Sequence, residues 1–258
     1  MRPVPDANTS RSPAALILAG SRGGVDPLAS ANGVPHKALI EVGGASMLAR
    51  VAAALRGAGL TRIIVSTNDA AVDAAAAALG LGIVAAADGP SRSVGLAIDQ
   101  VGTPLLVTTA DHALLDPAWV TAFLGGVPAQ ADVAVMLARR AAIEAAVPDT
   151  RRTYLRFADG DWSGCNLFFF ATPRAVAAVA LWERVEADRK RPWRIIRRFG
   201  PLMLVRYLLG QLTLTRAIAH LGGLAGIDAA VVESPAGLAA VDVDTAGDLV
   251  LVRRIVGG

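Results

Sequence analysis

The sequence predicts an α/β fold, three-layered α/β/α, with a mixed and mostly parallel sheet between helices. Three observations predict it. From Ala14 onward short apolar runs (ALILAG, RIIVST, GIVAAA) alternate with Ala-rich helical stretches (SMLARVAAALRGAG, AAVDAAAAALG), the rhythm of strands that cross over through helices. The runs are almost continuously apolar rather than alternating, as strands covered on both faces should be. And 258 residues at 53% hydrophobic content can bury a large core without disulfides or metals.

The elements follow in order. After the helical stretch SVGLAIDQVG comes PLLVTTAD, a strand ending in polar residues. A helix opened by Asp116 and Pro117 leads to another strand, DVAVMLARR. From about residue 140 the pattern changes, and RTYLRFADGDWSGCNLFFFA reads as an antiparallel pair around an ADGDWSG turn, which makes the sheet mixed. Residues 173–224 read as a helical insertion containing RKRPWRIIRRFGPLMLVRYLLGQL. A last strand pair, DAAVVES and GLAAVDV, precedes the closing helix TAGDLVLVRRI. Residues 1–13 are polar and Pro-rich and read as a disordered tail, with residues 14–258 as one domain.

Composition narrows the function classes. The charged fraction is 18% and the formal net charge only +3, so duplex nucleic acid is not an expected partner. Cys165 is the single cysteine, which excludes an internal disulfide and suits a reducing cytoplasm, the expected location. Beside an aromatic strand it reads as a small buried apolar residue, not a nucleophile. Apolar runs are interrupted before the roughly 20 residues that a membrane span needs, so a soluble protein is expected despite a mean hydropathy of +0.48.

The first strand runs into SRGGVDPLASANGVPHKAL. Backbone N–H groups of Gly20, Ser21, Arg22, Gly23 and Gly24 can line a phosphate-sized nest, and Lys37 can add a compact positive charge. A plain tight turn is the alternative. The loop is neither a Walker A motif, lacking Gly-Lys-Ser/Thr, nor a GxGxxG fingerprint. At the other end of the chain's chemistry, Asp111 stands where the strand LLVTTAD stops, the position at which open α/β sheets place ligand-binding groups. A hard cation such as Mg²⁺ needs one or two carboxylates plus phosphate oxygens and water. The alternative is a solvated loop carboxylate or a helix cap. In AAVDVDTAGDL, Asp242 and Asp244 alternate and would point the same way from a strand, with Val243 opposed. Asp244 or Thr245 can cap the next helix, with Asp248 completing a box-like first turn, and the capping role is assigned to Asp244.

LAGSRGG followed by PHKALIEVGGASMLARV resembles, in order and spacing, the opening signature of the MobA-like nucleotidyltransferases and their sugar-phosphate relatives. The resemblance covers residues 14 to about 135 and again 239–250. It implies a Rossmann-like nucleotidyltransferase fold and a nucleotide-binding set of Leu18, Ala19, Gly20, Ser21, Gly23, Gly24 and Lys37. The family's loop arginine falls near Val25, so Arg22 has to serve in its place or the charge is missing, and His36 separates Pro35 from Lys37. By the same resemblance Asp111 and Asp242 are the Mg²⁺ ligands, and Lys37, Asp111 and Arg22 the catalytic set.

ADGPSRSVGLAI sits where the family has its base-recognition loop, which assigns Gly89 and Ser93 to the nucleotide; simple capping is the alternative. Gly164 and Asn166, at the entrance of an apolar strand, are assigned to the acceptor, with a turn-satisfying amide as the alternative. The basic insertion reads as a helical subdomain with a solvated face, as a lid, or as a peripheral membrane contact with anionic lipid. The expected activity is transfer of a nucleoside monophosphate from a nucleoside triphosphate to a small phosphorylated acceptor, with pyrophosphate released. The rivals are a nucleotide-sugar-dependent glycosyltransferase of related fold and a catalytically idle nucleotide-binding or membrane-associated protein.

Overall fold

The computed structural model describes residues 12–21, 23–24, 26–148, 150, 152–187 and 200–257. Residues 1–11 of the expected tail, the residues 188–199 that carry most of the basic segment, and Arg22 lie outside them.

The main sheet runs β10-β7-β9-β6-β1-β4-β5, with β8 pairing on β9. Its strands are β1 (Ala14–Leu18), β4 (Ile63–Thr67), β5 (Gly82–Ala85), β6 (Leu105–Thr109), β7 (Val133–Arg139), β8 (Leu155–Phe157), β9 (Gly160–Phe170) and β10 (Ala229–Glu233). β5, β4, β1 and β6 are parallel, β9 is antiparallel to both β6 and β7, and β10 is parallel to β7. A separate two-stranded ribbon joins β2 (Glu41–Val42) to β3 (Ala45–Ser46). This is the expected mixed, mostly parallel sheet.

Alternate residues of β1 explain the three layers. Ala15 and Ile17 face a core shared with α2 (Met47–Gly57), α3 (Ala70–Ala78) and α5 (Pro117–Gly126). Ala14 and Leu16 face the opposite core, with α4 (Pro90–Val101) and α7 (Val176–Ala187). Both sides are apolar because both are covered by helices. Local chemistry sets the helix starts: Asp26 accepts from Leu28 N and Ala29 N at the head of α1 (Pro27–Ala31), and Asp116 accepts from Ala118 N at the head of α5.

Two local expectations need correction. The hairpin turn is tighter than ADGDWSG, since Phe157 pairs with Gly160 and Trp162, Ser163 and Gly164 already lie in β9. GLAAVDV is not a strand. Gly237–Ala240 forms a 3-10 turn because it packs on the backbone of α6 (Arg140–Ala146), where a Cβ at Gly237 would fall 2.1 Å from the Ala142 carbonyl oxygen. An apolar run pressed that closely on a helix has no free edge to offer a strand partner. The chain then continues without regular secondary structure through Val241–Asp244 into α10 (Ala246–Gly257), with Val241 and Val243 buried beside Leu249 and Val252.

In the insertion, α8 (Pro201–Leu208) and α9 (Leu214–Leu224) follow α7. Met203, Leu204 and Tyr207 of α8 look into an apolar cavity shared with α9, and Leu202, Val205, Leu208 and Leu209 are exposed. Among the described residues no helix is long and apolar enough to cross a membrane.

Candidate active site

β1, β4 and β6 end side by side, so the polar residues following them face one cavity of about 780 Å³ at the carboxyl edge of the sheet. Leu18, Ala19, Gly20, Ser21, Gly23, Lys37, Gly89, Ser93 and Asp111 all line it, as does Asp244. Gly24, Gly164, Asn166 and Asp242 do not form its wall. Gly164 sits exposed on β9 opposite Leu137.

The glycine loop is shaped by close approach and by backbone sign. A Cβ at Gly20 would lie 2.9 Å from the Ala86 side chain, and Gly23 takes φ +81°, in the left-handed region. Asn68, at the end of β4, fixes the loop from outside: it accepts from Ser21 N at 2.9 Å and its amide donates to Ser21 O at 2.9 Å.

Lys37 is presented by His36. The buried His36 Nδ1 accepts from Ala38 N at 3.0 Å and so caps the 3-10 turn Lys37–Leu39. The residue that interrupts Pro-Lys thereby has a local structural role. Burial holds the His36 imidazole below its ordinary pKa against the pull of Asp69 and Asp26. From this turn Lys37 Nζ donates to Asp111 Oδ2 at 2.7 Å and to Asp244 Oδ1 at 3.1 Å. Burial alone would lower the Lys37 pKa, but Asp111 and then Asp244 outweigh it and hold the ammonium above the usual lysine range. Thr109 Oγ1 donates to Asp111 Oδ1 at 2.5 Å, so both oxygens of Asp111 are directed.

Asp244 therefore faces Lys37 rather than capping α10. The cap belongs to Thr245, whose Oγ1 accepts from Asp248 N at 3.2 Å while Asp248 Oδ2 accepts from Thr245 N at 2.8 Å. Asp242 sits next to this box, its Oδ1 paired with Arg152 and its Oδ2 accepting from Asn166 Nδ2 at 2.8 Å. Burial, opposed by Arg152 and reinforced by Asp244 and Asp111, holds the Asp242 carboxyl above the ordinary carboxylate range. Four carboxylates thus meet two cations, Asp111 and Asp244 on Lys37 and Asp242 and Asp248 on Arg152. Asn166, assigned to the acceptor in the sequence, directs its amide Nδ2 at Asp242.

The base-side loop is also internally bonded. Ser93 Oγ donates to Gly89 O at 2.9 Å and accepts from Ala87 N at 3.0 Å, so its hydroxyl shapes the turn before α4. Ser91 Oγ donates to Glu186 Oε2 at 2.7 Å. Cys165 is buried, and burial pushes its thiol up to about 12, which excludes a thiolate nucleophile at neutral pH.

A family model described as the MobA-like NTP transferase domain matches residues 15–201. The chain belongs to the MobA-like NTP transferase family. Among solved structures, a hypothetical transferase from Thermus thermophilus is 30% identical, with a TM-score of 0.79 over 93% of this chain and 100% of that one. CMP:2-keto-3-deoxy-manno-octonic acid synthetase, solved with CTP, is 19% identical, with a TM-score of 0.59 over 96% of this chain and 99% of that one. The 2-C-methyl-D-erythritol 4-phosphate cytidylyltransferase of Thermus thermophilus is 16% identical, with a TM-score of 0.52 over 96% of this chain and 100% of that one. The last two likenesses establish a shared nucleotidyltransferase fold. In this MobA-like chain, sequence reasoning missed Asn68, Thr109 and Arg152. The signal for the first two is a polar residue at the end of a buried strand; Arg152 stands in a stretch without periodicity and had none.

Proposed function

We propose that this MobA-like enzyme transfers a nucleoside monophosphate from a nucleoside triphosphate to a small phosphorylated acceptor and releases pyrophosphate. The observation that carries this reading is the Lys37 ammonium lying between Asp111 and Asp244 on the wall of the glycine-loop cavity. A lysine so placed can exchange its carboxylate partners for phosphate oxygens when a triphosphate enters. Gly20 and Gly23 line the same cavity, where their backbone N–H groups can add donors.

The donor set suits Mg²⁺. Asp111 and Asp242 supply hard oxygen ligands, and Mg²⁺ takes only one or two carboxylates before phosphate and water complete its shell. When bound, the cation would neutralise charge on the α-phosphate.

Lys37 holds the triphosphate, Thr109 keeps Asp111 turned toward the cavity, and no protein base is needed. An acceptor phosphate is already ionised at neutral pH, so positioning supplies most of the catalysis. Thermal-shift screening of the four nucleoside triphosphates with Mg²⁺, followed by pyrophosphate assays with phosphorylated alcohols and sugars, tests the reading. One triphosphate should stabilise the protein and one acceptor class should release pyrophosphate. Sugar transfer without pyrophosphate, or nucleotide binding without turnover, would replace it.

A further inference from the structure

We propose that Arg152 and Asn166 form a two-sided clamp that aims the Asp242 carboxylate at the cation, making both of them positioning residues for the reaction. The inference rests on the nucleotidyltransferase reading of Asp111 and Asp242 given above.

Asp242 lies outside the sheet, just after the 3-10 turn; the backbone there is anchored by Val243 N on Asp111 O, and the Asp242 carboxylate takes its direction from side-chain partners. Arg152 holds it from one side. Its guanidinium pairs with Asp242 Oδ1, donates to the Asp242 backbone carbonyl at 2.9 Å and reaches Asp248 Oδ1 at 3.1 Å. The Arg152 side chain is only 9% exposed. A planar fork that grips a side chain, its own backbone and the first turn of α10 fixes position as well as charge.

Asn166 holds the other oxygen, and the fold is distorted to put it there. Val135 pairs with Phe168 while Leu137 pairs with Gly164, so the β9 residues between them bulge out of register opposite Met136. Cys165 and Leu167 remain buried at 1% exposure each. Between them Asn166 adopts φ +50°, the positive value of a non-glycine residue found nowhere else among the described residues. Bulges re-aim side chains, and left-handed non-glycine residues persist where their surroundings hold them. This one turns an amide onto Asp242 Oδ2 at 2.8 Å. Each carboxylate oxygen offers two lone-pair directions, so one partner apiece leaves both able to face a cation.

The test measures Mn²⁺ binding by the electron paramagnetic resonance of the free ion, with a non-hydrolysable triphosphate present, alongside melting temperature as a fold control. Asn166→Gly keeps the left-handed backbone without side-chain strain, and Arg152→Lys keeps the charge without the fork. Each should weaken Mn²⁺ binding about tenfold or more while the protein stays folded, since partners that orient metal ligands are commonly worth about 10- to 100-fold in metal affinity. Asp242→Asn should bind weakest. If Asp242→Asn loses Mn²⁺ while Asn166→Gly binds it as tightly as the native chain, the clamp is overturned and the metal site stands. If Asp242→Asn binds Mn²⁺ normally, the metal-site reading itself fails.

Discussion

The backbone N–H of Val243 donates to the carbonyl oxygen of Asp111 at 3.1 Å, joining two segments remote in sequence at the spot where each carries a carboxylate. Val243 is fully buried beside Leu249 and Val252, so Asp242 and Asp244 on either side of it are turned away from that core, Asp244 onto Lys37 and Asp242 onto Arg152 and Asn166. Apolar packing behind the segment thus sets the electrostatics in front of it.

Asp111→Asn is expected to reduce pyrophosphate release by about 100-fold or more, the scale of losing one directed electrostatic contact to the transition state. The fold should persist, because Asn can still accept from Thr109 and Asp244 remains as a partner for Lys37. Steady-state kinetics with circular dichroism checks both, and unchanged turnover would remove Asp111 from the mechanism.

Lys37→Ala should weaken triphosphate binding by roughly 10- to 100-fold, the range of a charge-assisted hydrogen bond. The effect has two parts: the ammonium is lost, and Asp111 and Asp244 are left to repel the incoming phosphates. Titration calorimetry measures it, and equal affinity would mean that the glycine loop is a turn and nothing more.

Much of this was legible in the sequence because it depends on short-range pattern. Unbroken apolar runs announced β1, β4 and β6, and the spacing from LAGSRGG to PHKAL placed the glycine loop beside Lys37. Arg152 was not legible, since its partners Asp242 and Asp248 are distant and no periodicity marks its own stretch. Asp244 looked like a helix cap because Asp, Thr and a later Asp fit that role equally by spacing; only the position of Lys37 distinguishes them. GLAAVDV looked like a strand because composition does not record how near α6 approaches.

Gly237→Ala should destabilise the fold by about 3 kcal/mol or more, in the upper range for a single substitution. The added methyl would lie 2.1 Å from Ala142 O and 2.6 Å from Ile143 N, backbone atoms of α6 that have little room to move. Urea unfolding gives the loss directly. Because the displaced turn leads straight into Val241–Asp244, Mn²⁺ affinity should fall in the protein that remains folded.

Acid sensitivity should trace to His112, which is buried with its ring 6.4 Å from that of Trp119. Burial pulls its imidazole from 6.5 to about 4, against the opposing pull of Asp111. Between those values the unfolded chain binds a proton that the native protein refuses, so stability rises with pH across the window. The contribution is present in full above about 6.5 and is lost as pH falls toward 4; at 1.36 kcal/mol per pH unit it amounts to roughly 3 kcal/mol. His112→Asn has no proton to take up. Unfolding free energies measured from pH 7 to pH 4 should therefore fall less steeply for the variant than for the native chain, and parallel curves would show that His112 does not govern the acid limb.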